Sequence, residues 1–179
     1  LLGPFRLEED KGALTALEPV DRLPEGKAFG GASTELLLHT EKTLLAYLAG
    51  ETSDLARLPV LLPEAPFARA VLEAMRAIPR GETRTYAEVA RLVGHEGAAR
   101  AVGSVCAKNR LLFVLPCHRI VPTQGVGHYR LGSAVKRRLL AMEKGDAAAF
   151  RPKTVFVTSD ETRRRPPFPG RGGGASRRF

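Results

Sequence analysis

The chain has 179 residues, 44% hydrophobic and 26% charged, ordinary globular values that exclude a disordered or fibrous protein. No apolar run approaches the roughly 18 to 20 residues of a membrane span, and residues 1–11 lack the pattern of a secretory leader, so an intracellular protein is expected. The net charge of +9 is uneven: residues 1–66 carry −5, residues 67–145 carry +9 and residues 151–179 carry +6. A basic module of this kind suits a polyanion such as nucleic acid, although on charge alone it serves solubility equally well.

Pro4 to Val20 reads as two extended segments around the turn Asp10-Lys11-Gly12. Thr34 to Leu48 reads as a helix, with Leu37, Leu38, Leu44, Leu45 and Leu48 at helical spacing and Gly50 as its stop. Leu58–Pro66, with prolines at 59, 63 and 66, reads as a linker at the change of charge sign. It divides a lobe at 1–62 from a domain at 66–150.

Phe67 to Ile78 follows as an amphipathic helix ended by Pro79 and Gly81. Thr85–Val93 and Ala98–Lys108 are two short helices joined by Gly94-His95-Glu96-Gly97, the pattern of a helix-turn-helix and equally of any αα-hairpin. Leu111 to Leu115 is a buried apolar segment that stops at Pro116, a glycine-rich loop spans Pro122 to Gly132, and Ser133–Lys144 is the last helix. Residues 151–179 are rich in Arg, Gly and Pro and are expected to be a basic, disordered tail apart from the brief Val155-Phe156-Val157. The fold class expected is α/β (α+β): a short antiparallel sheet with a helix, then a helical domain with a winged helix-turn-helix-like motif.

Two cysteines, Cys106 and Cys117, cannot make a disulfide scaffold, and the four histidines do not space as zinc ligands with them. The hexapeptide Pro116-Cys117-His118-Arg119-Ile120-Val121 sets a thiol beside an imidazole and a guanidinium. A thiol is a weak nucleophile at neutral pH until a base or positive field assists it, and His118 could do so directly or through a water. Read alone, the same dipeptide equally describes a small buried Cys at the end of a core segment. Cys106, on the apolar side of its helix, reads as packing.

Taken in order, Thr83-Arg84-Thr85-Tyr86-Ala87-Glu88-Val89-Ala90, Arg100-Ala101-Val102-Gly103, Asn109, Pro116–Val121, Gly127-His128-Tyr129-Arg130-Leu131-Gly132 and Lys136 with Leu139-Leu140-Ala141-Met142-Glu143 form one series. The series resembles the O6-alkylguanine-DNA alkyltransferases, also called methylated-DNA–protein-cysteine methyltransferases, from Phe67 to about Gly145. The resemblance implies irreversible transfer of an alkyl group from O6 of guanine, or less readily O4 of thymine, to Cys117, without a cofactor. His118 would be the base, acting through a water, and Glu143 its orienting carboxylate. The target nucleotide would be flipped out of double-stranded DNA. Arg100 would fill the gap from a helix in the minor groove, where Ala98, Ala99 and Ser104 allow close approach.

By the same resemblance Tyr86 would help rotate the nucleotide and donate toward the base, and Asn109 would bridge the DNA-binding motif and the active-site loop. The carbonyls of Cys117 and Ile120 would accept from the guanine amino group, Gly127 and Tyr129 would form a lid, and Lys136 would stand near the pocket. Two positions depart from the pattern: Arg110 stands where the family usually has Pro, and Arg130 where some relatives have Ser. With no Cys in residues 1–66 and only His39, no metal is expected there. The partner expected is duplex DNA bearing O6-alkylguanine, met by a monomer, with no membrane. Two competing readings are a non-catalytic binder of alkylated DNA or helix-turn-helix regulator, which would bind without transfer, and a cysteine hydrolase, which would turn over repeatedly.

Overall fold

In a computed structural model the described residues are 2–20, 34–51, 55–146 and 154–158. In chain order they form strands β1 (Gly3–Asp10) and β2 (Ala13–Pro19), helices α1 (Glu35–Leu48) and α2 (Pro66–Arg76), and strand β3 (Arg84–Thr85). Helices α3 (Tyr86–Leu92) and α4 (Ala99–Ala107), strand β4 (Ile120–Val121), helix α5 (Ser133–Glu143) and strand β5 (Thr154–Thr158) follow. Short 3₁₀ turns occupy Leu55–Arg57 and Cys117–Arg119.

The hairpin expected around Asp10-Lys11-Gly12 closes on Lys11 and Gly12, both at positive φ (50° and 77°), the geometry whose hand matches the twist of the flanking strands. Antiparallel pairing sets Leu7 opposite Leu17, and Phe5, Leu7, Leu14, Ala16 and Leu17 are fully buried. The other edge of β1 takes β5 in parallel, giving the order β2-β1-β5. Val155-Phe156-Val157, the exception expected within the basic tail, lies in this strand, because the unpaired backbone edge of β1 offers hydrogen bonds that these β-prone residues can take up. The rest of that tail, 151–153 and 159–179, lies outside the described residues.

β2 bonds to two further segments. Leu14 pairs with Pro59 and Leu61 at 2.9 Å each, and Leu17 receives Leu112 N at 3.0 Å while donating to Arg110 O at 2.7 Å. The proline-rich stretch at 58–66 therefore runs along the sheet. One apolar cluster joins Phe5, Leu44 and Tyr47 of the N-terminal elements to Val102, Leu115 and Leu139 of the later ones.

α1 starts at Thr34, whose hydroxyl accepts from Leu37 N at 3.2 Å. α3 starts with a capping box in which Thr85 and Glu88 each satisfy the other's backbone N–H. Phe67 of α2 meets His95 edge-on in the α3–α4 turn, with ring centroids 5.0 Å apart. β3 pairs in parallel with β4, Arg84 beside Ile120, so the start of α3 is fixed to the backbone just after Cys117-His118-Arg119. No helix among the described residues is long and apolar enough to cross a membrane.

A chain ending at residue 150 leaves the β1 edge unpaired. It is expected to melt about 2–8 °C below a chain ending at 158, as measured by calorimetry.

Candidate active site

Cys117, His118 and Arg119 form the second of the two 3₁₀ turns, and Glu143 closes the last turn of α5. The run Leu111–Leu115 before them is buried, as expected, but it is no strand: Phe113 has φ of 68°. A left-handed phenylalanine is strained by roughly 1–3 kcal/mol. Packing holds it there, since its ring lies 5.8 Å from that of Phe5, 6.1 Å from Tyr47 and 6.4 Å from His118. That bend turns the chain so that Cys117 follows at the floor of the site.

Glu143 is the centre of the polar network. Its buried carboxylate accepts from His118 Nε2 at 2.9 Å, from the Tyr47 hydroxyl at 2.5 Å and from Arg119 Nε and Nη2 at 3.0 and 2.8 Å. Gly81 N donates to it at 3.2 Å, and a Cβ at Gly81 would stand 3.1 Å from the Glu143 carbonyl, so only glycine fits this approach. Arg119 is held in turn by donation from Nη1 to Ile78 O at 2.6 Å. Burial pushes the Glu143 carboxyl up, but the hydrogen bonds from His118 and Arg119 overcome it and hold the group far below the usual carboxylate range.

His118 is completely buried, and that burial lowers its pKa from the ordinary 6.5 against the pull of Glu143. The imidazole is therefore neutral at pH 7. Because Nε2 faces an ionised carboxylate it carries the proton, which leaves the Nδ1 lone pair as the free base. Among the described residues Nδ1 is buried with no protein partner. A buried acceptor without a partner is costly unless a water or a reacting proton meets it.

Cys117 is 7% exposed and burial raises its pKa, so at rest it is a thiol. Asn109 Nδ2 donates to Sγ at 3.3 Å and to Leu115 O at 2.8 Å, while its Oδ1 accepts from Leu111 N at 2.9 Å. Asn109 thus ties the end of α4 to the active-site turn. Cys106 is half-buried and pushed up to about 12 by burial, which leaves it inert beside Cys117.

The expected pocket residues gather around this thiol. Lys136, fully buried, donates through Nζ to Ile120 O at 2.6 Å and to His128 O at 3.4 Å. Gly127 lies with its Cα face against Pro122 and Lys136, where a Cβ would come within 2.7 Å of the proline ring. Tyr129 sets its ring edge-on to His118 at 6.1 Å, with its hydroxyl buried. Tyr86 begins α3, half-buried, and burial together with Cys106 and Cys117 raises its pKa, so it stays a proton donor. Arg100 and Ser104 are exposed on α4, with the Ser104 hydroxyl turned back to Arg100 O at 3.1 Å, and Ala98 and Ala99 flank its start.

Three residues carry no assigned role in the sequence: Tyr47 and Arg119 of the Glu143 network, and Glu18 of a separate cluster. Tyr47 comes from α1, in the N-terminal lobe, where Arg80 caps the helix end at Gly50 O and Glu51 O and stacks over the Tyr47 ring at 5.4 Å. Its one sequence signal is a phenol in an otherwise leucine-rich helix face, a group that needs a partner when buried. Arg119 carries no signal beyond its neighbours. Glu18 of β2 collects both family departures, Arg110 at 2.8 Å and Arg130 at 2.9 Å.

Over 166 residues the chain is 35% identical to the methylated-DNA–protein-cysteine methyltransferase of Mycobacterium leprae, covering 87% of this chain and 93% of that protein. The chain belongs to the methylated-DNA–protein-cysteine methyltransferase family. The protein of that name from Mycolicibacterium paratuberculosis is 38% identical over 83% of the chain and 90% of its own length. Residues 66–145 match the DNA-binding domain family of 6-O-methylguanine DNA methyltransferases. The crystal structure of Mycobacterium tuberculosis OGT in complex with DNA superposes with a TM-score of 0.69 at 29% identity, over 82% of this chain and 98% of that one.

Three measurements test the methyltransferase site. Glu143→Gln removes the charge that fixes the His118 tautomer and is expected to slow single-turnover transfer by about 10²–10⁴-fold. Glu143→Ala also strands Arg119 and should lower unfolding free energy in urea by about 3–5 kcal/mol. Because burial depresses His118, the transfer rate of the intact protein should stay level as pH falls to 6.5 and drop only below it, as a pH–rate profile would show.

Proposed function

We propose that this methyltransferase repairs O6-alkylguanine in duplex DNA by moving the alkyl group to Sγ of Cys117. His118 Nδ1 takes the thiol proton, directly or through one water, and Glu143 stabilises the imidazolium that results. The thiolate attacks the alkyl carbon, the S–C bond forms as the C–O6 bond breaks, and the electron pair departs with guanine. Tyr86 donates toward the base as negative charge builds on it, and guanine recovers the neutral form by taking up one proton. The product is a thioether with no leaving group, so each chain acts once.

Supporting this reading above all is the neutral, fully buried His118, protonated toward Glu143 and bare at Nδ1. A structural core histidine would have both ring nitrogens satisfied. Asn109, donating to Sγ, lowers the cost of forming the thiolate there.

On the DNA side, exposed Arg100 on α4 inserts where the flipped nucleotide leaves the stack, with Ala98, Ala99 and Ser104 against the minor-groove backbone. Minor-groove binding reads little sequence, which suits a protein that must act anywhere. Ile120 O and the Cys117 carbonyl accept from the guanine amino group. Ile120 O keeps a second lone pair beside its bond to Lys136. Gly127 and Tyr129 cover the base.

Incubation with a duplex carrying one O6-methylguanine should add one methyl mass to the Cys117 peptide and stop at one equivalent per chain. An unmodified peptide in the presence of excess duplex rejects the transfer, and continued turnover rejects the single-use mechanism. Cys117→Ser should still bind the duplex but take no methyl, while Arg100→Ala should transfer more slowly from duplex than from single-stranded substrate.

A further inference from the structure

The loop from residue 122 to 132 brings Tyr129 and Arg130 near Cys117 and is fastened on two sides. On the inner side stand Lys136, bonded to His128 O, and the Tyr129 ring against His118. On the outer side Arg130 donates through Nη1 to Glu18 Oε2 at 2.9 Å and through Nη2 to Ala107 O at 3.3 Å, the last residue of α4. The other Glu18 oxygen is already engaged, by Arg110 Nη2 at 2.8 Å and Arg6 Nη2 at 2.5 Å. One carboxylate on β2 therefore holds cations from the N-terminal hairpin, from the segment beside Asn109 and from the loop near the thiol.

We propose that Glu18 is a positioning residue that latches this loop shut through Arg130, and that the latch opens when Arg130 exchanges the carboxylate for the phosphate backbone of DNA. The proposal rests on Cys117 being the acceptor.

Three features carry it. The side chain of Glu18 is only 13% exposed and that of Arg130 is 35% exposed, so the anion is anchored while the cation reaches solvent. Arg6 and Arg110 remain on Glu18 when Arg130 leaves, so opening strands no buried charge. A pair with so exposed a cation is weak and screened by salt, unlike the buried pair of Arg119 and Glu143, and so can be exchanged during DNA binding. The N-terminal lobe thereby gains a role in admitting substrate.

The test is alkylation of the full chain by iodoacetamide without DNA, following the Cys117 and Cys106 peptides separately by mass spectrometry. Arg130→Gln leaves the Arg6–Glu18–Arg110 contacts in place, and removing a cation near Cys117 disfavours its thiolate, so faster labelling there reports access. Cys117 in Arg130→Gln and in Glu18→Gln should label about three- to tenfold faster than in the parent. Cys106 should be unchanged, and Arg130→Lys should restore part of the protection. Raising salt from about 0.05 to about 0.5 M should speed Cys117 labelling in the parent and not in the variants.

Equal Cys117 rates in parent and Arg130→Gln, or a parallel rise at Cys106, would overturn the latch even if Glu18→Gln fails to fold. Faster labelling of a Cys117 that takes no methyl from O6-methylguanine duplex would instead keep the latch and reject the acceptor.

Discussion

A single buried carboxylate organises the catalytic end of this molecule. Glu143 has no access to water, so its charge is tolerable only because four neighbours donate to it: His118, Arg119, Tyr47 and the backbone of Gly81. Each of those donors comes from a different stretch of chain or fixes a different torsion. Satisfying the charge therefore also fixes the imidazole tautomer, the 3₁₀ turn that carries Cys117 and the end of α5. Chemistry and stability share one network, and a partial loss of it leaves a buried ion unpaired.

The thiol is treated in the opposite way. Burial keeps Cys117 protonated at rest, outweighing the hydrogen bond from Asn109 and the nearby charges of Lys136 and Arg130. At rest the sulfur is therefore a weak nucleophile. For a protein consumed by its own reaction this matters, because a resting thiolate would be spent on any passing electrophile. Tyr129, packed against His118, and the inert Cys106 alongside fit the same economy.

The N-terminal lobe does more than fill space. β2 bonds to the segments at 59–61 and 110–112, α1 sends Tyr47 into the network, and Glu18 gathers arginines from three parts of the chain. The acidic charge of residues 1–66 and the basic charge of 67–145 meet at such pairs. Other cations, Arg91 on α3 and Arg100 on α4 among them, stay exposed.

Local order was readable in the residues. The Lys11-Gly12 turn, the Thr34 and Thr85 caps, the helix periods and the ordered series from Thr83 to Glu143 depend on neighbours within a few positions, and short-range sterics and hydrogen bonding decide them. Cys117, His118 and Glu143, proposed as acceptor, base and orienting carboxylate, were legible as residue types in a fixed order. What joins His118 to Tyr47 across 71 positions, turns Phe113 into a left-handed bend, seats β5 on β1 and brings Arg110 and Arg130 to Glu18 was not legible. Those contacts carry no periodicity, because burial chooses the partner: a phenol, a strand edge or a carboxylate cut off from water must take whichever complementary group the packed core brings within reach.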